Sequence, residues 1–241
     1  MARPIFMSSS TRSSTPHDTR PLERGVTLIE LAVVLAVIGV LSLVAIPSIS
    51  SWSTNQRIKA TSRESADILR LARAEAIRTG DHQVVLFGPD PDNTPLVDPA
   101  GQPAALMALD DGAPTAANCR IDAGEANETV SVVRGVVWGV SFATMPVPTD
   151  ANGATFAPPQ ASGNTFRDPN NNPTRWVIFR PDGIPVVATG TSPDCGTIGG
   201  MGSGAAAFYL TNGSRDYAVV LSALGTVRVH AWNLGAGQWS S

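Results

Sequence analysis

The sequence predicts an α+β protein in which a long N-terminal α-helix, membrane half plus amphipathic half, packs on a head of antiparallel β-sheet. Three observations carry this reading. An almost unbroken apolar run covers residues 26–46, and sequence with helical period continues from there to residue 79. From residue 81 onward, short β-branched and aromatic runs alternate with turn signals such as Pro181-Asp182-Gly183 and Asn212-Gly213, which favour hairpins over helical crossovers. The 161 residues from 81 to 241 suffice for one globular domain.

The first 25 residues are polar and carry Arg3, Arg12, Arg20 and Arg24 against Asp18 and Glu23. Positive charge ahead of an apolar segment predicts a cytoplasmic N-terminus. At 1.5 Å per residue, the 21 residues of the run give roughly 31 Å, about the hydrocarbon thickness of a bilayer. Ala45-Ile46-Pro47-Ser48 is a poor signal-peptidase site, so the segment is expected to be retained. Inside it stands one carboxylate, Glu30. A charge at the centre of a spanning helix costs roughly 2.5 to 3.5 kcal/mol, and less near the N-terminus, where the helix dipole favours an anion. Such a residue implies a function and a partner.

Gly25 followed by Val26-Thr27-Leu28-Ile29-Glu30 resembles the prepilin signature of type IV pilins and type II secretion pseudopilins, with valine where phenylalanine is usual. The resemblance implies cleavage by a prepilin peptidase between Gly25 and Val26, N-methylation of Val26, and retention of the apolar helix as the filament assembly element. Glu30 would then be the fifth mature residue. On a helix running from residue 26, its carboxylate lies one turn from the new amine. In a filament of staggered helices it could instead pair with the amine of a neighbouring subunit. Pro47 occupies a place where many pilins carry a helix-bending proline. It lacks a backbone donor and clashes with the carbonyl of Leu43, which predicts a kink or local melting near 43–47.

Residues 48–80 are expected to form an amphipathic helix closed by Gly80. Ile58, Thr61, Ser65, Leu69, Ala72 and Ala76 share a face, while the segment as a whole carries a net charge of +3. If unbroken from residue 26 to 79, the helix would be about 81 Å long. Ile68-Leu69-Arg70-Leu71-Ala72-Arg73-Ala74-Glu75-Ala76-Ile77-Arg78, followed by Val84-Val85-Leu86, resembles the GspH/FimT subgroup of these proteins. So does the later order of Trp176-Val177-Ile178-Phe179-Arg180-Pro181-Asp182-Gly183, Tyr217-Ala218-Val219-Val220-Leu221 and Gly225-Thr226-Val227-Arg228-Val229. The resemblance implies a pilin-like fold.

In the head, 81–241, strands are predicted at 83–87, 129–133, 135–142, 174–180, 184–189, 205–211, 216–222 and 226–232. Two stretches interrupt them, 88–128 and 143–173, each with six prolines, and both are predicted as long surface loops. The first holds eight carboxylates against Arg120 alone, a net charge of −7. A solvated loop is the plainer account of it, and a partner-recognition surface the sharper one. The glycines between 196 and 204 fit no phosphate-binding pattern and predict a flexible connector.

Composition argues against catalysis. His17 lies in the leader, and His82 and His230 stand apart from any cluster at metal-ligand spacing, so each is predicted to be an ordinary surface or turn residue. Asp168-Pro169-Asn170-Asn171-Asn172-Pro173 puts proline where a calcium loop needs glycine, and a turn accounts for it. No cofactor is expected. From residue 26 onward, 18 acidic residues outnumber 13 basic ones. Nucleic-acid binding, which needs a basic footprint, therefore ranks below a structural role, with Arg215 and Arg228 as its scattered candidates. Cys119 and Cys195 face the expected oxidising compartment and are candidates for a disulfide, which on the chain-entropy argument would contribute roughly 4 kcal/mol.

The sequence thus reads as a minor pseudopilin of a type II secretion system, with a FimT/FimU-like minor pilin of a type IV pilus as the alternative. It would be held by a single pass in the bacterial inner membrane, its head in the periplasm, before joining other pseudopilins or pilins at a filament tip.

Overall fold

The computed structural model describes residues 25–88, 96–97, 101, 104–110, 127–131, 133–152, 163–189 and 198–240. The leader up to residue 24, the candidate disulfide Cys119–Cys195 and most of the acidic stretch lie outside them. Among the described residues the order is one helix, α1 (Leu28–Thr79), then ten strands: β1 (Gln83–Phe87), β2 (Ala104–Asp110), β3 (Asn127–Ser131), β4 (Val137–Trp138), β5 (Trp176–Phe179), β6 (Pro185–Val186), β7 (Ala206–Thr211), β8 (Asp216–Leu221), β9 (Val227–Asn233) and β10 (Gln238–Ser240). The chain divides into two compact units between Pro47 and Ser48. α1 continues through Pro47, and the bend expected there lies outside the described side chains.

In the first unit, α1 is a bare apolar helix. Its described side chains are exposed from Leu28 to Leu41.

The second unit holds the core. Two five-stranded antiparallel sheets form, ordered β3-β2-β1-β5-β6 and β10-β9-β8-β7-β4. The predicted helix face is the one that packs. Ile58, Leu69, Ala72 and Ala76 are buried with Val85, Phe87, Val177 and Phe179 of the first sheet and Phe208, Leu210, Val219 and Leu221 of the second. Thr61 and Ser62 share this burial by donating their hydroxyls to the carbonyls of Arg57 and Lys59. Period-two alternation sends Val84, Leu86, Trp176 and Ile178 to the far side of the first sheet, where Leu96 and Ala188 join them. On the second sheet, Ala207, Tyr209, Ala218 and Val220 pack outward against Val147.

Several expectations are corrected. The stretch 88–128 is not only loop: β2 crosses it, registered between β1 and β3 with Ala108 opposite both Val85 and Glu128. Its Ala/Leu/Met sequence has little β-propensity, and pairing on both sides imposes the strand. The stretch 143–173 contributes buried groups, among them Val147, Phe166 and Asp150. Strand β4 is shorter than predicted because the buried Asp216 carboxylate accepts the N–H groups of Ser141, Phe142 and Ala143 at 3.0, 2.6 and 2.7 Å. Those donors leave the ladder to meet it. The glycine-rich connector is packed rather than loose where it is described. Gly199 N–H donates to the Val187 carbonyl, and a Cβ on Gly204 would stand 2.7 Å from the Pro185 carbonyl carbon. β10 was not foreseen at all.

The predicted turns hold. Gly183 takes φ +75° and donates its N–H to the Arg180 carbonyl, while its own carbonyl accepts from Arg73 Nε of α1. The Asn212 Oδ1 atom accepts from Ser214 and Arg215 N–H, and its Nδ2 donates to the Thr54 carbonyl and Asn55 Oδ1. Asp168 closes the Asn-Pro loop by accepting from the N–H groups of Asn170 and Asn172.

Candidate functional site

The chemistry-bearing residues of the first unit sit at the start of α1. Gly25, Val26 and Thr27 precede the helix, which begins at Leu28. Thr27 is its N-cap: its carbonyl accepts from Leu31 N–H at 3.1 Å, and its hydroxyl oxygen accepts from Glu30 N–H at 3.2 Å. Thr27 and Glu30 thus stand at capping-box spacing, with the half made by the Thr27 hydroxyl present. The Thr-x-x-Glu spacing was the available signal, and reading it only as a peptidase signature missed its local work. In the uncleaved chain Val26 stands ahead of the helix.

Glu30 is exposed within the first turn, where uncapped N–H groups favour a carboxylate. Around it Leu28 is 86% exposed and Val26 73%. An apolar surface of this extent marks contact with a bilayer or with other proteins. No helix among the described residues is long and apolar enough to cross a membrane, and the described side chains of the apolar run end at Ser42.

The candidate DNA contacts are not brought together. Arg215 lies in the β7–β8 turn, whereas Arg228 pairs opposite Val220 near the other end of β8, about 17 Å away along the strand. Arg228 borders a small cleft with Thr149, Val220, Ser222 and Thr226. His230 is a further correction, being buried in β9 rather than on the surface or in a turn. Burial first, then the adjacent Arg228 charge, hold its imidazole below the usual histidine range. Its Nε2 has no hydrogen-bond partner among the described residues.

One buried ionisable network went unread in the sequence. Asp150 accepts from the Tyr209 hydroxyl at 2.8 Å, from Thr165 Oγ1 at 2.9 Å and from Asn152 N–H at 3.0 Å. Desolvation raises its carboxyl above the ordinary value against these three bonds, and raises the Tyr209 hydroxyl as well. These bonds, with that from Val147 N–H to the Tyr209 hydroxyl at 3.2 Å, hold the loop around Asp150 on the second sheet.

Residues 20–46 match the prokaryotic N-terminal methylation motif, the prepilin-type signature, which is consistent with a type IV pilin-like protein. No curated protein and no solved structure matches the chain.

Proposed function

We propose that this type IV pilin-like, prepilin-processed chain is a minor pseudopilin of a type II secretion system. One observation carries the reading: an exposed apolar helix whose capped first turn holds Glu30, five residues beyond Gly25 in a matched methylation motif. Peptidase cleavage after Gly25 creates an amine on Val26, and methylation keeps that amine basic. In a filament, the Glu30 carboxylate of one subunit meets the amine of its neighbour, so that two charges unfavourable in an apolar bundle neutralise each other. The leader arginines support a cytoplasmic N-terminus and a periplasmic head, with the inner membrane holding the apolar helix until assembly. The chain's work in this reading is structural, without turnover.

The order of segments that resembles the GspH/FimT subgroup supports this choice, since it falls on the last turns of α1, on β5 with its turn, and on β8 and β9. A FimT/FimU-like minor pilin is the second reading, supported by the same segments. Neighbouring genes separate the two: a secretion ATPase and secretin components, or other minor pilins and an adhesin.

Mass spectrometry of the mature N-terminus, from cells that contain the peptidase, should find a methylated Val26. An intact leader, or cleavage near Ala45, would refute the proposal. Glu30→Ala should leave the head folded and processing intact but reduce recovery in sheared filaments at least tenfold, and unchanged recovery would remove the pairing role.

A further inference from the structure

The two sides of β9 are not paired alike. On one side β8 pairs with Val227 to Ala231. On the other, β10 reaches only Ala231, Trp232 and Asn233, so among the described residues no strand lies beside Val227 to His230 there. The Thr226 carbonyl accepts the Ser222 N–H across the β8–β9 turn, and the Asn233 carbonyl accepts the Gly237 N–H at the β9–β10 turn. In an antiparallel strand the N–H and carbonyl of one residue point the same way, and that direction alternates along the chain. Arg228 and His230 therefore address β8, while Val227, Val229 and Ala231 address the outer side. The Val227 carbonyl accepts from the Arg70 guanidinium at 3.1 Å, and the Ala231 carbonyl from the Ser240 hydroxyl at 3.1 Å. Val229 is left with its N–H and carbonyl on an open edge.

This edge lines a cleft of about 490 Å³ whose other wall is α1. The side chains of Val229 and Ala231 turn toward that wall, against the main core. From α1 come Lys59, Arg63 and Arg70, with Asp67 as the one carboxylate among the described lining residues. Asp67 is already paired with Arg70 at 2.7 Å. Lys59 and Arg63 are exposed, stand one turn apart, and make no side-chain hydrogen bond or ion pair among the described residues. The cleft thus joins an unfilled backbone ladder to two unpaired cations, in a chain that is acidic overall.

We propose that the cleft between α1 and the outer edge of β9 takes an extended acidic segment of a different protein, added as a short strand beside Val227 to His230. The Val229 N–H and carbonyl hold the backbone of that segment. Its residues opposite Val227 and Val229 share their face of the sheet and so point to the α1 wall. α1 rises about 6 Å from Lys59 to Arg63, and alternate residues of a strand lie about 7 Å apart. Carboxylates two residues apart therefore match the two cations. A nucleic acid would also meet a basic wall, but its phosphodiester backbone has no donor for the Val229 carbonyl. Only the source of the segment, a neighbouring subunit of another kind, rests on the assembly reading above.

The test uses the full chain in detergent and a dye-labelled, end-blocked peptide of alternating glutamate and threonine, followed by fluorescence anisotropy. The peptide should bind, and the amide of Val229 should exchange its hydrogen more slowly in the complex. The same peptide N-methylated throughout keeps every charge but cannot complete the ladder, and should bind about tenfold more weakly. A peptide with lysine in place of glutamate should bind no better. Lys59→Glu with Arg63→Glu should lower affinity for the acidic peptide about tenfold, since two attractions become repulsions. The peptide changes leave the protein untouched, so folding of the variant does not decide the outcome. Equal binding of the methylated peptide, or no binding of the acidic one, would overturn the proposal. So would a thymidine oligonucleotide that displaces the peptide and binds more tightly. Tagged chain that captures untagged copies, and releases them to the peptide, would make the occupant a second copy and overturn the partner of another kind. N-terminal processing does not depend on the cleft. A methylated Val26 in a chain that ignores the peptide would refute the cleft and spare the assembly reading, and an unprocessed chain that binds it would do the reverse.

Discussion

A single carboxylate, Asp216, decides where β4 ends. Its two oxygens accept three successive backbone N–H groups, and the side chain is almost wholly buried. Asparagine has nearly the same shape but offers one acceptor oxygen and turns an NH2 group toward N–H donors. Asp216→Asn should therefore cost about 2 to 4 kcal/mol, the range for losing charge-assisted bonds at buried donors. Chemical denaturation of the head reads this directly, and a loss below about 0.5 kcal/mol would show that the loop does not need the carboxylate. Asp150 makes stability depend on pH. Its folded-state pKa lies above its unfolded value of 3.8, so the folded form holds the proton more tightly. The stability this gives is complete below pH 3.8 and is lost as pH rises through the folded-state value. Asp150→Asn removes that titration. The difference in unfolding free energy between wild type and variant should be flat below pH 3.8 and change as pH rises from there through the folded-state value; a flat difference throughout would place the carboxyl at its ordinary value.

Among the elements, those that carry their own pattern were legible and those made by their neighbours were not. The buried face of α1 follows from helical spacing alone, and β7, β8 and β9 follow from β-branched and aromatic runs closed by Asn-Gly and Leu-Gly turns. β2 was hidden because alanine, leucine and methionine favour helix, and only the ladders on either side make it a strand. The capping role of Thr27 was hidden for another reason, since one motif served two purposes. The cleft that Lys59 and Arg63 line with Tyr217 and His230 could not be found at all, because β8 and β9 reach α1 only in the fold. Gly204 shows how tightly the segment read as a connector is built. A Cβ there would lie 2.8 Å from Val186 N as well as against Pro185, so β6 or the turn must move. Gly204→Ala should destabilise the head by about 1 to 3 kcal/mol, the range for overpacking, while Gly213→Ala, in open space, tests only the strain of φ +76°. Equal losses in thermal unfolding would mean that packing at Gly204 contributes nothing.

At the scale of the whole molecule, the two units differ in what they bury. The main core draws on residues from Ile58 to Val227, and nothing described before Ser48 belongs to any of the three buried clusters. The apolar helix ahead of that point leaves its described large side chains, from Leu28 to Leu41, exposed. Stability and association should therefore separate. A chain beginning at Ser48 retains Thr54 and Asn55, which anchor the β7–β8 turn, together with every described core residue. It should unfold cooperatively, with a midpoint within a few degrees of the full chain in detergent, and should stay in solution without detergent. Deleting the first 47 residues removes the apolar surface that demands a bilayer or neighbours, so the fragment should also fail to enter filaments formed by the full chain. Broad unfolding, or aggregation of the fragment, would show that the first unit stabilises the head. Incorporation of the fragment at the level of the full chain would show that Glu30 and its helix are not what the filament holds.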